Sequence, residues 1–201
     1  MNARDEILSS IRMRQTGKVA RPPRYRAAPI IGSLDRRFAE RATAESAEVR
    51  FLDRMTDVPA AVADILRARN MAATAHVPSD ARMDSLPWGT GFVLDRTPPG
   101  PNDAALAFAP FAIAETGTLV YVSAPDAPPS WHFRPGFEIA MISARNILPQ
   151  LEDVLAHLRN SGTIASTINF VTGPSRTGDI EQTLELGAHG PKALSILIVK
   201  G

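Results

Sequence analysis

Cysteine is absent from this 201-residue chain, and its absence excludes several kinds of site. These residues cannot build a disulfide, a thiolate nucleophile, or a cysteine-ligated zinc or iron–sulfur centre. The sequence also lacks the phosphate-binding motifs GxxxxGK[ST] and GxGxxG, the zinc-protease motif HExxH and the hydrolase motif GxSxG. None of its four histidines has metal-ligand spacing to another. The sequence therefore predicts no metal site and neither of the common glycine-rich loops that bind nucleotide phosphates.

Net charge is small as well, at +1 from 22 basic and 21 acidic residues. No overall field therefore draws the chain to nucleic acid or to an anionic membrane. No apolar run reaches the roughly 18 residues of a membrane-spanning helix, and the N-terminus lacks the charged-then-apolar order of a signal peptide. We therefore expect no membrane span, no nucleic-acid partner and a cytoplasmic location.

Helical and strand-like patterns alternate along the chain. This order predicts an α/β fold with a largely parallel central sheet and flanking helices. Residues 1–32 are expected to form a short helix and a linker rich in proline and arginine, and residues 33–201 a single domain. The main helices are predicted at 33–46, 57–70 and 145–160, and the main strands at 48–52, 71–77, 138–143, 163–171 and 193–199.

The connection between the last two predicted strands is the most polar one in the chain. It is predicted to contain a turn, a short helix and a second turn, so that the chain ends in a β-α-β unit. Free amides at a helix start, hydroxyl groups and an arginine together suit a small anion. The alternative is that these residues only cap a helix and form turns. The candidate ligand-binding residues here are Ser175, Arg176, Thr177, Asp179, Glu181 and Gly190.

A second polar stretch, residues 115–118, interrupts an apolar segment. A carboxylate between buried strands must be paired or must lie at a wet opening. We expect the acid to face Arg176 and His189 across one rim of the sheet. The alternative is a hairpin turn with an exposed glutamate. The candidate catalytic residues are Glu115 and His189, and the further ligand-binding candidates are Thr116, Gly117 and Thr118.

Three segments, taken together, resemble a known family. AETGTLV at 114–120, SRTGDIE at 175–181 and GAHGP at 187–191 occur in the order and spacing typical of the lactate-utilisation protein C family, whose domain is called LUD. The resemblance extends from about residue 34 to residue 200. The loop SWHFRP at 130–135 departs from the family pattern.

The resemblance implies an α/β fold similar to the sugar-phosphate isomerase and CoA-transferase group (NagB/RpiA-like). It also implies a role with two partner proteins in the oxidation of L-lactate to pyruvate, with iron–sulfur clusters in the partners and no cofactor in this chain. Two alternatives stay open. One is a free-standing enzyme for a small anionic ligand of CoA or sugar-phosphate type, and the other is a regulatory or assembly subunit without its own chemistry.

Overall fold

The computed structural model describes residues 2–14, 20, 22–23, 28–125, 127–162, 165–178, 184–187 and 189–201, without the side chains of 177–178 and 184–186. The described helices are α1 Ala3–Met13, α2 Leu34–Ala44, α3 Val58–Ala68, α4 Ala81–Asp84, α5 Ser130–Phe133 and α6 Leu151–Asn160. The described strands are β1 Glu48–Leu52, β2 Thr74–His76, β3 Val93–Asp95, β4 Ala104–Phe108, β5 Phe111–Ile113, β6 Thr118–Val122, β7 Phe137–Ser143, β8 Ile147–Leu148, β9 Ile168–Val171, β10 Arg176–Gly178, β11 Leu184–Leu186 and β12 Ala193–Val199.

Six of these strands form a parallel sheet in the order β1-β12-β7-β4-β2-β3. This sheet confirms the predicted α/β class. From β2 the chain moves outward to β3 and then returns to β4 on the other side of β2. The strand order therefore reverses between β2 and β4, and such a reversal opens a crevice at the carboxyl ends of the two strands.

Four further strands form a second sheet in the order β8-β5-β6-β9. Strands β5 and β6 are an antiparallel hairpin, and β9 runs antiparallel to β6. This sheet and α2 cover one face of the parallel sheet. The core between them contains buried apolar side chains from both sheets and from α2, including Phe38, Ala112, Leu119, Tyr121, Ala140, Ile142 and Ile196.

Two helices complete the layers. Helix α3 has Pro59 in its first turn, a position that needs no backbone N–H, and it buries an apolar stripe against the other face of the parallel sheet. Helix α6 covers the outer face of the second sheet, where Val154 and Leu158 pack on Ile113 and Val120. Helix α1, by contrast, buries none of its residues.

The predicted helix at 145–160 is wrong in its first part. Residues Ala144–Asn146 form a 3-10 turn and β8 follows, so α6 begins only at Leu151. Pro149 explains the difference, because the residue before a proline is disfavoured in the α conformation and the proline itself cannot donate to a helix. The apolar side chains at 147 and 148 nevertheless lie inward, in a strand.

The predicted final β-α-β unit is also wrong. Strand β9 lies in the second sheet and is antiparallel there, so it is not a parallel neighbour of β12. The predicted helix between them includes β11, which pairs antiparallel with β10. Residues 179–183 lie outside the described residues. A pattern this short does not separate helix from hairpin, because three or four apolar positions fit either period.

Candidate functional site

A cavity of about 670 Å³ lies where the strand order reverses, and we call it the switch-point cavity. The segment after β2 forms one wall, and the end of β4 with the residues after it forms another. Strand β6, α5 and α6 contribute the remaining side chains. Its polar and aromatic lining residues include Ser79, Asp80, Arg82, Phe108, Phe111, Tyr121, Trp131, His132, Asn146 and His157.

A buried polar cluster adjoins this cavity. The Oε1 atom of Glu138 accepts a hydrogen bond from the hydroxyl of Tyr121 at 2.8 Å and lies 2.8 Å from Nδ1 of His132. The rings of Tyr121 and His132 are stacked, with centroids 3.5 Å apart. Three elements bring the cluster together, because Glu138 is on β7, Tyr121 is on β6 and His132 is on α5.

Because the cluster is buried, any charge in it is costly to the fold unless hydrogen bonds compensate it. Glu138 is 0% exposed, and within the described part of the chain its Oε2 atom has no hydrogen-bond partner. Oε1 thus accepts from the Tyr121 hydroxyl and can accept from Nδ1–H of His132, whereas Oε2 has neither donor. In the neutral His132 tautomer that donates from Nδ1 to this carboxylate, Nε2 is the acceptor of the ring.

The hydroxyl of Tyr121 is the second donor to this carboxylate. Burial, and then the neighbouring charge of Glu138 and the hydrogen bond to it, raise the pKa of Tyr121 well above its ordinary value. The phenol therefore stays protonated at any physiological pH. It remains a donor to Glu138, so Tyr121 compensates part of the cost of burying the carboxylate.

Arg82 is held at the edge of the same cavity by two contacts. Its Nε and Nη2 atoms donate to the two carboxylate oxygens of Asp80, at 3.0 and 2.6 Å. Its guanidinium lies over the ring of Phe108, 3.8 Å from the centroid. The hydrogen bond from Arg82 lowers the pKa of Asp80 below its ordinary value. These contacts orient the guanidinium of a side chain that is 63% exposed, and among the described residues its Nη1 group has no partner.

Several candidates from the sequence lie together along a different cavity, of about 480 Å³, which we call the loop cavity. Its lining includes Ser175, Arg176, His189 and Gly190. Arg176 donates from Nη2 to the hydroxyl of Ser46, just after α2. The amide of His189 donates to Oγ of Ser175 at 3.3 Å, which ties the two loops to each other.

Three other candidates from this segment have no described side chain. Thr177 lies in β10, with its backbone paired to Glu185. Asp179 and Glu181 lie outside the described residues. Their predicted role in ligand binding therefore stays a prediction.

The polar stretch at 115–118 is the turn of the β5–β6 hairpin, as the simpler interpretation expects. Gly117 has a φ of +72° there, and a side chain would meet the backbone nitrogen of Ala42 at 2.4 Å. The turn is thus pressed against α2. The hydroxyls of Thr116, Thr118 and Thr172 form a chain with oxygens 2.7 Å apart. Thr172 lines the loop cavity, so this chain connects the turn to it.

Glu115 lies elsewhere. It is half-buried and lines a third cavity, of about 640 Å³, beside Arg36, Arg37 and Arg41. The structure therefore brings Ser175, Arg176, His189 and Gly190 together, as predicted, but does not place Glu115 in the cavity that they line. The reason is that the hairpin turn crosses the side of α2, whereas the loops after β9 and before β12 lie at its end.

Sequence reasoning missed the polar groups of the switch-point cavity. Two signals were available: the sequence SWHFRP places a histidine in a loop, and Glu138 stands at the start of an apolar strand. A charge inside a strand pattern requires a partner. In the described part of the chain no group of three or more histidine, aspartate or glutamate side chains could hold a metal ion. No helix among the described residues is long and apolar enough to cross a membrane.

Comparison with known proteins relates about half of the chain to a family. Residues 101–199 match the family model of the LUD domain. Over 101 residues the chain is 37% identical to lactate utilization protein C of Bacillus subtilis and 33% identical to that of Geobacillus kaustophilus. Each match covers 48% of this chain and 42% of the relative, so the chain matches less than half the length of these relatives.

A solved structure supports the fold over a longer range. The crystal structure of a DUF162 family protein from Deinococcus radiodurans superposes with a TM-score of 0.60 and 19% identity, covering 83% of this chain and 96% of that one. At this identity the likeness concerns the fold alone. This likeness in fold extends well beyond residues 101–199, the part of the chain that matches the LUD domain and is similar to lactate utilization protein C.

Proposed function

We propose that this protein takes part in lactate utilisation, as a subunit that supports the oxidation of L-lactate to pyruvate. The observation that carries the proposal is the match of residues 101–199 to the LUD domain and to relatives named lactate utilization protein C. Those residues contribute β4 to β7 and α5, hence most of the switch-point cavity and all of the Glu138–His132–Tyr121 cluster. The matched half thus contributes most of the lining of the switch-point cavity.

The proposal includes two partner proteins, at least one of which carries iron–sulfur clusters. The chain has no cysteine with which to ligate such a cluster, so in this proposal the clusters that accept electrons from lactate belong to a partner. The loop cavity suits contact with a partner, since Arg176 and His189 are exposed and lie beside the exposed rings of Phe133 and Phe170. Such a surface favours a carboxylate next to apolar side chains on the partner.

A second candidate is an enzyme that acts alone on a small organic molecule. The size and position of the switch-point cavity favour it, because cavities of several hundred Å³ at a strand-order reversal are typical ligand sites. The two candidates differ in whether the chain needs partners.

The test combines deletion with affinity purification from the host. A deletion strain should lose growth on L-lactate and keep growth on pyruvate, and the tagged chain should recover two partner proteins, one with iron–sulfur absorption. Arg176→Ala and His189→Ala should weaken that recovery, whereas Arg67→Ala, on the exposed side of α3, should leave it intact. Normal growth on lactate together with recovery of the chain alone would contradict the proposal.

A further inference from the structure

The orientation of His132 is the first step of the argument. Glu138 is completely buried, and its Oε1 atom takes both the Tyr121 hydroxyl and Nδ1 of His132. The carboxylate therefore fixes the ring by its Nδ1–H. Within the described residues Nε2 of His132 makes no hydrogen bond. In the tautomer with the proton on Nδ1, Nε2 is therefore an unused acceptor on a largely buried ring that lines the switch-point cavity.

The fixed guanidinium is the second step. Asp80 occupies two of the nitrogens of Arg82, and the Phe108 ring supports its face. The Nη1 group stays available for a further acceptor. A guanidinium held in this way loses little side-chain entropy when it binds an anion, and its planar edge matches a carboxylate. Arg82 and His132 both line this cavity.

A ligand that complements both groups has a carboxylate for Arg82 and a hydroxyl for His132. We propose that the switch-point cavity binds 2-hydroxycarboxylates, with the carboxylate on Nη1 of Arg82 and the hydroxyl donating to Nε2 of His132. The proposal rests on the proposed function, which supplies L-lactate as the simplest member of the class. With about 670 Å³ available, the cavity also has room for longer members. Trp131 and Phe111 offer those longer members an apolar wall.

The same geometry predicts which small acids the cavity should bind most tightly. An unprotonated Nε2 accepts a hydrogen bond and cannot donate one. A hydroxyl satisfies it, whereas the keto oxygen of a 2-oxo acid does not, and propionate offers nothing at that position. A site built around an acceptor rejects an analogue that lacks the donor, because the acceptor then loses water without a replacement. Binding should therefore be strongest for L-lactate, and weaker for pyruvate and propionate.

The test uses the purified full chain with nitrogen-15-labelled histidine. The four single His→Gln variants assign the resonances. His132 should show a protonated Nδ1 and an unprotonated Nε2, and L-lactate should shift the Nε2 resonance. Calorimetry should give at least about tenfold weaker binding for propionate, the loss expected for one hydrogen bond to a fixed polar group. Protonation on Nε2 instead of Nδ1, or equal affinity for lactate and propionate, would overturn the inference.

Variants add a matched control. His132→Gln should weaken L-lactate binding at least about tenfold. Arg67→Ala, on the exposed side of α3 and outside the lining of this cavity, should leave it unchanged. Unchanged binding in His132→Gln would refute the site. Because these measurements need no partner, a failure here is separate from a failure of growth or co-purification, which would count against the proposed function.

Discussion

Nδ1 of His132 lies 2.8 Å from Oε1 of Glu138, a carboxylate with no exposed surface. The pair lies next to the switch-point cavity, with the ring of Tyr121 stacked on the imidazole. Taking a carboxylate out of water costs several kcal/mol unless donors surround it. Here two donors compensate one oxygen, and the second oxygen has no partner among the described residues. Such an arrangement is costly to the fold, which is why we connect it with function.

The first prediction concerns the second donor to that carboxylate. Tyr121→Phe removes the hydroxyl and leaves Glu138 with one donor. The free energy of unfolding should fall by about 1–3 kcal/mol, the usual cost of leaving a buried group without its hydrogen bond. Urea denaturation followed by circular dichroism measures it. In a Glu138→Gln background the same substitution should cost less, and equal costs in the two backgrounds would show that the hydroxyl does not serve the carboxylate.

The second prediction is a pH dependence from the same tyrosine. The folded-state pKa of Tyr121 is raised by burial and by Glu138, so the unfolded state loses its proton first. The stabilising contribution is fully present below about pH 10, the unfolded value, and is lost as the pH rises from there through the folded pKa. Absorbance at 295 nm should show Tyr121 ionising only as the chain unfolds. Tyr121→Phe should abolish that step.

The third prediction tests the contact between the β5–β6 turn and α2. Gly117→Ala combines a left-handed φ with a side chain placed 2.4 Å from the backbone of Ala42, so it should lower the unfolding free energy by clearly more than about 1 kcal/mol. Gly91→Ala is the matched control, since Gly91 has a φ of +85° and no atom within 4 Å of the added carbon. Equal losses in the two variants would mean that the turn does not press on the helix.

The fourth prediction concerns the support of Arg82. Asp80 lies on the same short segment and its pKa is lowered by the hydrogen bond from Arg82. The stability that this pair contributes is present above the unfolded value, near pH 3.9, and is lost as the pH falls through the lower folded pKa. Carbon-13 titration of the carboxylates should place Asp80 below that value. Arg82→Lys should return the Asp80 pKa towards its ordinary range, whereas Arg67→Lys should not move it.

Asp80→Asn should separate stability from binding. The ion pair is partly exposed, so its loss should change the unfolding free energy by less than about 1 kcal/mol. If the guanidinium serves as a carboxylate anchor, L-lactate affinity should fall all the same, because Arg82 is then no longer held in place. A large loss of stability with unchanged affinity would instead assign the pair to folding.

Much of the fold could be predicted because its signals are local. The apolar run at 193–199 and the alternation at 48–52 predicted β12 and β1 with their observed bounds. The stripe of α3 was equally clear. The assignment of strands to sheets was not local. The run at 163–171 was expected to continue the parallel sheet, but β9 pairs with β6 at Leu119↔Val171. That pairing depends on the place of the β5–β6 hairpin in the second sheet, which one sequence does not reveal.

For the candidate site, too, the placement of residues on short connections could be predicted, whereas long-range contacts could not. Ser175, Arg176, His189 and Gly190 were predicted to meet because short connections bring them together, and they line one cavity. Glu115 was expected to join them, yet its position depends on how the hairpin turn lies on α2. The contact from Tyr121 to Glu138 joins two sheets and spans 17 residues. Neither residue type is unusual in a strand, so only the folded arrangement shows that the hydroxyl of Tyr121 donates to the carboxylate of Glu138.

Growth on L-lactate is the most direct test of the claim that the switch-point cavity serves lactate utilisation. A deletion strain would be complemented with the wild-type chain, with His132→Gln or with Arg67→Ala, each checked for abundance and for recovery of partner proteins. We predict that His132→Gln accumulates and assembles normally but grows on L-lactate several-fold more slowly, while Arg67→Ala restores growth. Wild-type growth of the His132→Gln strain would contradict the account.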